Sequence, residues 1–456
     1  MCNDGTFDGD IEMIENNDMK VTEELLDFLE KSPTCFHVVA NIRERLLAEG
    51  YTELFEGQKW ELKQGKGYFA ARNESSVIAF RMPKKRATGF MIAASHSDSP
   101  SFKIKENPEI TSEGAYTRLN VEKYGGMLMH PWFDRPLSAA GRVIVREKDG
   151  VIATRLVNID RDLMMIPSLA IHMDRKANEG HELNAQKELL PVLGDETADG
   201  KFMDMLAEAA GVSVEDILSH DLFLYVRGRG SVWGASGEYV SAGHIDDLQC
   251  VYGTMEGFIA AEGNESVIPV LAVFDNEEVG SGTKQGADST FLSDVLERIG
   301  MAAGFTPEEQ KTLTASSFMV SADNAHAVHP AYAEKADPVN RPKINKGIVV
   351  KYHAGQKYTT DAVSGALFEE ICRKAGAPVQ HFTNRSDMNG GSTLGNISNA
   401  HVSLNTVDIG LPQLAMHSCV ETAGVHDTTA LIKAMKVFFE SCIEDLGHGR
   451  YITHMQ

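Results

Sequence analysis

The sequence predicts an α/β fold interrupted by a mainly-β insertion. Short apolar runs at residues 90–95, 267–273 and 317–322 have the length and composition of buried strands. They alternate with segments whose apolar residues recur at helical spacing. Between residues 106 and 235 the character changes to short β-like runs, Gly/Pro turns and a long polar stretch at 174–187. The 456-residue chain therefore divides into a discontinuous unit, 1–105 with 236–456, and an insertion, 106–235.

The elements follow in order. Val21, Leu25, Leu26, Phe28 and Leu29 mark one face of a helix over 21–29, with Thr22 as candidate cap and Ser32-Pro33-Thr34 as its end. A second amphipathic helix covers 38–47 and closes at Gly50. Residues 68–72 and 77–81 pair as a hairpin about Asn73-Glu74-Ser75. The 90–95 strand stops at His96-Ser97-Asp98-Ser99-Pro100. In the insertion, 141–146, 151–157 and 222–226 are strand-like, and an apolar segment, 166–172, ends on His172, which a satisfied buried histidine would explain. Gly243-His244-Ile245-Asp246-Asp247-Leu248 precedes a helix over 249–261. Two readings of its acids stand open, helix capping and metal bridging. The 267–273 strand runs into Asp275-Asn276-Glu277-Glu278-Val279-Gly280, and the 317–322 strand into Asp323. A strand over 347–352 carries Lys351, a helix covers 362–374, and strands cover 379–382 and 402–407 about a turn-rich loop, 386–393. A helix over 427–443 ends the pattern.

Composition narrows the partners. Hydrophobic content of 43% and charged content of 24% are ordinary for a soluble enzyme. Forty-three Lys and Arg against 65 Asp and Glu leave −22, which argues against nucleic acid or an anionic membrane as partner, because no basic surplus exists to neutralise phosphates. One local cation can still reverse the sign inside a pocket, so an acidic substrate stays open. The six cysteines are scattered with no Cys-x-x-Cys pair, as in a reducing compartment. Residues 1–17 lack the basic and apolar regions of a signal peptide. No apolar run approaches the ~20 residues that span a bilayer. A cytoplasmic protein is expected.

The acids and histidines gain meaning together. Adjacent side chains on a strand face opposite ways, so Glu277 and Glu278 divide the work, one on a metal and one as general base. His96 can bind a metal while Asp98 orients it. His96, Asp246, Glu278, Asp323 and His417 all fall at strand ends or helix starts. Two histidines and three carboxylates without a thiolate suit two divalent ions, zinc, manganese or cobalt, with one carboxylate bridging. Such ions, ~3.5–4 Å apart, share a hydroxide and polarise a carbonyl. An uncoordinated Glu277 takes the proton and passes it to a leaving amine.

These fragments, taken in order, resemble the aspartyl aminopeptidase family, metallopeptidases that include yeast vacuolar aminopeptidase I. The marks are Ser32-Pro33-Thr34, His96-Ser97-Asp98-Ser99-Pro100, Trp132-Phe133-Asp134-Arg135-Pro136-Leu137 and Ile166-Pro167-Ser168-Leu169-Ala170-Ile171-His172. They continue with Asp275 to Ser281, Ser321 to Pro330, Arg385-Ser386-Asp387-Met388, Gly391-Ser392-Thr393 and Met416-His417-Ser418, covering nearly the whole chain. The resemblance implies a zinc-peptidase-like α/β/α catalytic domain with a mixed sheet, and a dimerisation role for 106–235. It implies that His96, Asp246 and Asp323 hold one ion and Asp246, Glu278 and His417 the other. Glu277 would be the general base and Asp98 the carboxylate behind His96. His172 would reach a neighbouring subunit's active site, Lys351 would receive an acidic substrate side chain, and His326 would face substrate. The implied assembly is a homododecamer built from dimers.

Two departures stand out. The family commonly has Leu-Asp-Asn-Leu where this chain has Ile245-Asp246-Asp247-Leu248; Asp246 aligns with the bridge, and whether Asp247 also touches metal stays open. The loop Asp387-Met388-Asn389-Gly390-Gly391 replaces a commoner Asp-Met-Pro-Cys-Gly; it would line the substrate pocket, with Met388 as a contact. The expected function is a two-metal aminopeptidase removing N-terminal Asp or Glu from peptides. The alternatives are a Leu/Met aminopeptidase or an N-acyl amino acid deacylase on the same site, and a catalytically silent self-assembling scaffold. The complete ligand set and Glu277 stand against the last.

Overall fold

The structure is a computed structural model that describes residues 7–388 and 390–455, with side chains from residue 17 onward. Cys2, the first part of the 1–17 segment and Asn389 lie outside the described residues. A nine-stranded mixed sheet forms the centre. Its middle is four parallel strands in the order Val267–Phe274, Gly89–His96, Phe318–Ala322, Asn405–Gly410. The hairpin Gly67–Arg72 and Ser76–Arg81 extends one side, and Ile348–Tyr352, antiparallel to Asn405–Gly410, begins the other.

Every residue of Gly89–His96 and Val267–Phe274 is buried. Burial on both faces explains why these strands read as continuous apolar runs. Met91 and Ala93 face one core, packed by Cys35–Ala48, Ile245–Ala260 and Asp427–Glu440. Phe90, Ile92 and Ala94 face the other, packed by Phe291–Ala302. The result is helix, sheet and helix in three layers. Burial of each large apolar side chain contributes about 1.5–3 kcal/mol.

A separate six-stranded antiparallel sheet uses strands between Ser101 and Val226, with its own core around Phe102, Trp132, Leu222 and Leu224. The strand Ser101–Ser112 crosses the 105/106 division, because its apolar residues continue the alternation past the polar stretch that marks the change of composition. Three further elements differ from expectation. The first helix is Phe7–Glu30, so Thr22 lies inside it; its hydroxyl donates to the carbonyls of Asp18 and Val425 and caps nothing. The last parallel strand is Asn405–Gly410, not 402–407. Val402 belongs to the preceding turn, where its N–H donates to Ser398 O, and its side chain fills the core. Glu277 and Glu278 sit in a 3-10 turn, Glu277–Val279, beyond the strand, so strand alternation is not what separates them. No helix among the described residues is long and apolar enough to cross a membrane.

Candidate active site

The parallel strands end together, and their ends carry the chemistry. His96 closes Gly89–His96, Asp323 follows Phe318–Ala322, and Glu277 and Glu278 lie just beyond Val267–Phe274. Asp246 and Asp247 occupy the non-helical first residues of Ile245–Ala260. All of these except Asp247, together with His417, His326 and Lys351, line a cleft of about 200 Å³.

Asp246 is central. Its Oδ1 lies 3.5 Å from His96 Nε2 and its Oδ2 3.5 Å from His417 Nε2. Glu278 Oε1 is 3.5 Å from the same His417 nitrogen. Ligand atoms of His96, Asp246, Asp247 and Asp323 fall within 4.8 Å of one another, as do those of Asp246, Glu278 and His417. The histidine tautomers suit metal binding. His96 Nδ1 donates to Asp98 O at 3.0 Å and His417 Nδ1 to Gly126 O at 2.5 Å, which leaves both Nε2 lone pairs facing the acids.

The acids are under-compensated. Burial opposes charge on His96, yet Asp247, Asp246 and Asp98 hold its imidazole well above the usual value. His417 is likewise pushed up to about 9, against burial, chiefly by Asp246. Burial, with Asp323 and Asp98 adding and His96 opposing, pushes Glu277 up to about 7. Asp246 Oδ1 and Asp247 Oδ1 are buried without a hydrogen-bond partner. The unpaired Asp246 Oδ1, 3.5 Å from the His96 Nε2 lone pair, fits a divalent cation, which would replace the protons these groups otherwise attract.

Residues 28–439 match the family described as aminopeptidase I zinc metalloprotease, M18. The chain belongs to the M18 family. A probable M18 family aminopeptidase 2 of Clostridium acetobutylicum is 46% identical over 432 residues, spanning 93% of this chain and 99% of that protein. The structure of an Ape4 and Nbr1 complex matches with a TM-score of 0.90 at 36% identity, covering 92% of this chain and 86% of that one. The S. cerevisiae mApe1 dodecamer matches with a TM-score of 0.81 at 28% identity, covering 93% and 97%. The enzyme is thus an aminopeptidase of a zinc-dependent family, a hydrolase acting on peptide bonds.

Tyr124 and Glu421, which hold the aminopeptidase site together, have no signal in the sequence. Asp98 receives the N–H groups of Glu277 and Glu278, each at 3.1 Å, and the hydroxyl of Tyr124 at 2.7 Å. Tyr124 ends the strand Tyr116–Tyr124 of the second sheet and also accepts from Asn276 Nδ2 at 2.8 Å. Glu421 accepts from the backbone of Asp246 at 2.9 Å and of His417 at 2.7 Å, clamping the two together. Burial and then Asp246 push its carboxyl up to about 8. Tyr124→Phe is expected to weaken zinc affinity about tenfold or more, since groups behind ligands carry that much; zinc titration against a competing chelator measures it.

The remaining expected residues divide. Lys351 is buried; its Nζ donates to Asn324 O at 2.9 Å and lies 3.6 Å from Asp323 Oδ1. Burial opposes its charge, but Asp323 and further acids hold the ammonium above its ordinary value. His326 opens into the cleft, whereas Met388 lines an adjoining cavity. His172 is exposed in the second-sheet region, beside exposed Leu169, Ile171 and Met173, and lines no part of its own chain's cleft. The five described cysteines are free.

Proposed function

We propose that the enzyme holds two divalent ions, zinc foremost, with manganese or cobalt as chemical equivalents, and removes N-terminal Asp or Glu from peptides. His96, Asp246 and Asp323 would hold one ion; Asp246, Glu278 and His417 would hold the other. The observation that carries this reading is the Asp246 carboxylate, with one oxygen toward each histidine at 3.5 Å. Bound zinc supplies Lewis acidity and ionises water near neutral pH.

The chain's own groups then act in turn. Glu277, with Glu278 committed beside it, takes the proton of the attacking water and delivers it to the departing amine. Asp98 fixes His96 through its backbone carbonyl, its carboxylate standing 3.5 Å from the same ring nitrogen, and holds the Glu277–Glu278 backbone through that carboxylate. The acidic floor of the cleft suits a free α-amine, which favours cleavage at the N-terminus over internal bonds. Among the described residues that line the cleft, Lys351 is the one lysine or arginine. When Asp323 serves an ion, the Lys351 charge is left for a substrate carboxylate. The second sheet would be a dimerisation module, with His172 completing a neighbour's cleft, and the dodecamer of the S. cerevisiae relative supports a homododecamer here. The free cysteines support a cytoplasmic location.

The test is initial rates on dipeptides with N-terminal Asp, Glu, Leu, Met, Lys and acetyl-Asp, with added zinc, manganese or cobalt and with EDTA. Metal-dependent cleavage of Asp and Glu but not acetyl-Asp is expected. Lys351→Met should shift preference from Asp towards Leu by on the order of 100-fold, the cost of losing one member of a buried charge pair. Leu or Met preference in the wild type would discard the Lys351 assignment, and release of acetate would indicate the deacylase.

A further inference from the structure

Beside the catalytic cleft lies a cavity of about 320 Å³ that shares His326, Phe382, Gly391 and Met416 with it. Its lining includes the cations Lys335 and Arg385 and also His329, and among the described residues no carboxylate lines it. In a chain with 65 acids against 43 Lys and Arg, that is a local inversion of sign. Arg385 is partly committed, since Asp387 lies 2.8 Å from its Nε. Lys335 is exposed and joins no ion pair among the described residues. His329 Nδ1 accepts the Ala331 N–H at 3.1 Å, which leaves Nε2 as a donor.

We propose that this cavity receives a carboxylate of the peptide beyond the scissile bond, with Lys335 as its principal cation. The inference rests on the aminopeptidase reading. A first residue seated between Glu277 and Lys351 leaves its successors, at ~3.3–3.6 Å per residue, to exit across the shared wall. The carboxylate has two sources, an acidic side chain at the second position or the free C-terminus of a short peptide. Either places negative charge against a wall whose lining holds cations and, among the described residues, no carboxylate. Because the contact lies away from the reacting bond, ground and transition states gain equally, and the effect falls on KM.

The experiment uses two series, N-terminal Asp and N-terminal Leu, each as X-Gln-Ala-amide, X-Glu-Ala-amide and X-Gln-Ala free acid. Rates are read for the wild type, Lys335→Gln and Lys335→Arg. The ratio of kcat/KM between charged and neutral peptides within each enzyme cancels any loss of active protein. We expect the wild type to favour a carboxylate peptide about three- to fivefold through KM, the range of a partly exposed ion pair, and less at high salt. The ratio should fall to about one in Lys335→Gln and return in Lys335→Arg. Preference for X-Glu-Ala-amide assigns the side chain; preference for the free acid assigns the C-terminus. Hydrolysis without preference, or a preference that Lys335→Gln keeps, overturns this subsite alone. No hydrolysis in either series overturns the aminopeptidase reading, and this inference with it.

Discussion

Glu277→Gln is expected to keep its metal and lose about 100- to 10,000-fold in kcat, the range of general acid–base catalysis. Gln has the shape of Glu and keeps the backbone N–H that donates to Asp98 Oδ1 at 3.1 Å. The turn Glu277–Val279 should therefore hold, and with it Glu278, whose N–H also reaches Asp98. What disappears is a basic oxygen inside the cleft. An amide cannot take a proton from water or return one to an amine. The loss should appear in kcat and kcat/KM alike, because the transfer exists only in the transition state. Metal content and kcat measured on one preparation separate this from ligand loss. Normal turnover with full metal would remove Glu277 from the mechanism; low turnover with empty sites would make it a ligand.

The strand-end residues were legible because chemistry and topology coincide there. His96, Glu278 and Asp323 each follow an apolar run too continuous for an exposed strand, and ends of parallel strands are where ligands collect. The acids at the start of Ile245–Ala260 were ambiguous, since a helix start explains an Asp as well as a metal does. Tyr124, Gly126 and Glu421 were invisible for a different reason. Tyr124 meets Asp98 across 26 residues of chain, and Gly126 meets His417 across 291. Both arrive on the second sheet, whose strand Tyr116–Tyr124 turns at Gly125, where positive φ and a Cβ position 3.1 Å from Glu278 Cβ require glycine. Boundary shifts arose where side chains serve the core from outside regular structure. Val402 reads as strand because it is β-branched and apolar, yet the turn at Ser398 claims its backbone.

The neighbouring acids Asp246 and Asp247 should respond very unequally to the same substitution. Both are buried, and each has an Oδ1 without a hydrogen-bond partner. Their surroundings differ. Asp246 faces both histidines, and against the cost of burial His417 and His96 hold its carboxyl below the usual range. Asp247 faces one: its Oδ2 accepts the His96 N–H at 3.1 Å and stays 4.0 Å from His96 Nε2, while burial holds its carboxyl well above the usual range. A carboxylate shared by two cations must keep its charge and offer both oxygens. Asp246→Asn replaces one oxygen with an N–H donor, which would weaken both proposed ion sites together. Bound zinc is expected to fall towards none after dialysis, and activity by about 1,000-fold or more, since metal catalysis supplies several kcal/mol and each 1.4 kcal/mol is tenfold. Asp247→Asn keeps a carbonyl oxygen for the His96 N–H and removes a charge that burial already disfavours. It should retain most of its zinc and at least about a tenth of its activity, the gentler end of what groups behind ligands cost. Elemental analysis of the two variants beside the wild type decides the matter. Equal zinc loss in both would make Asp247 a ligand, and zinc retained by Asp246→Asn would move the bridge elsewhere.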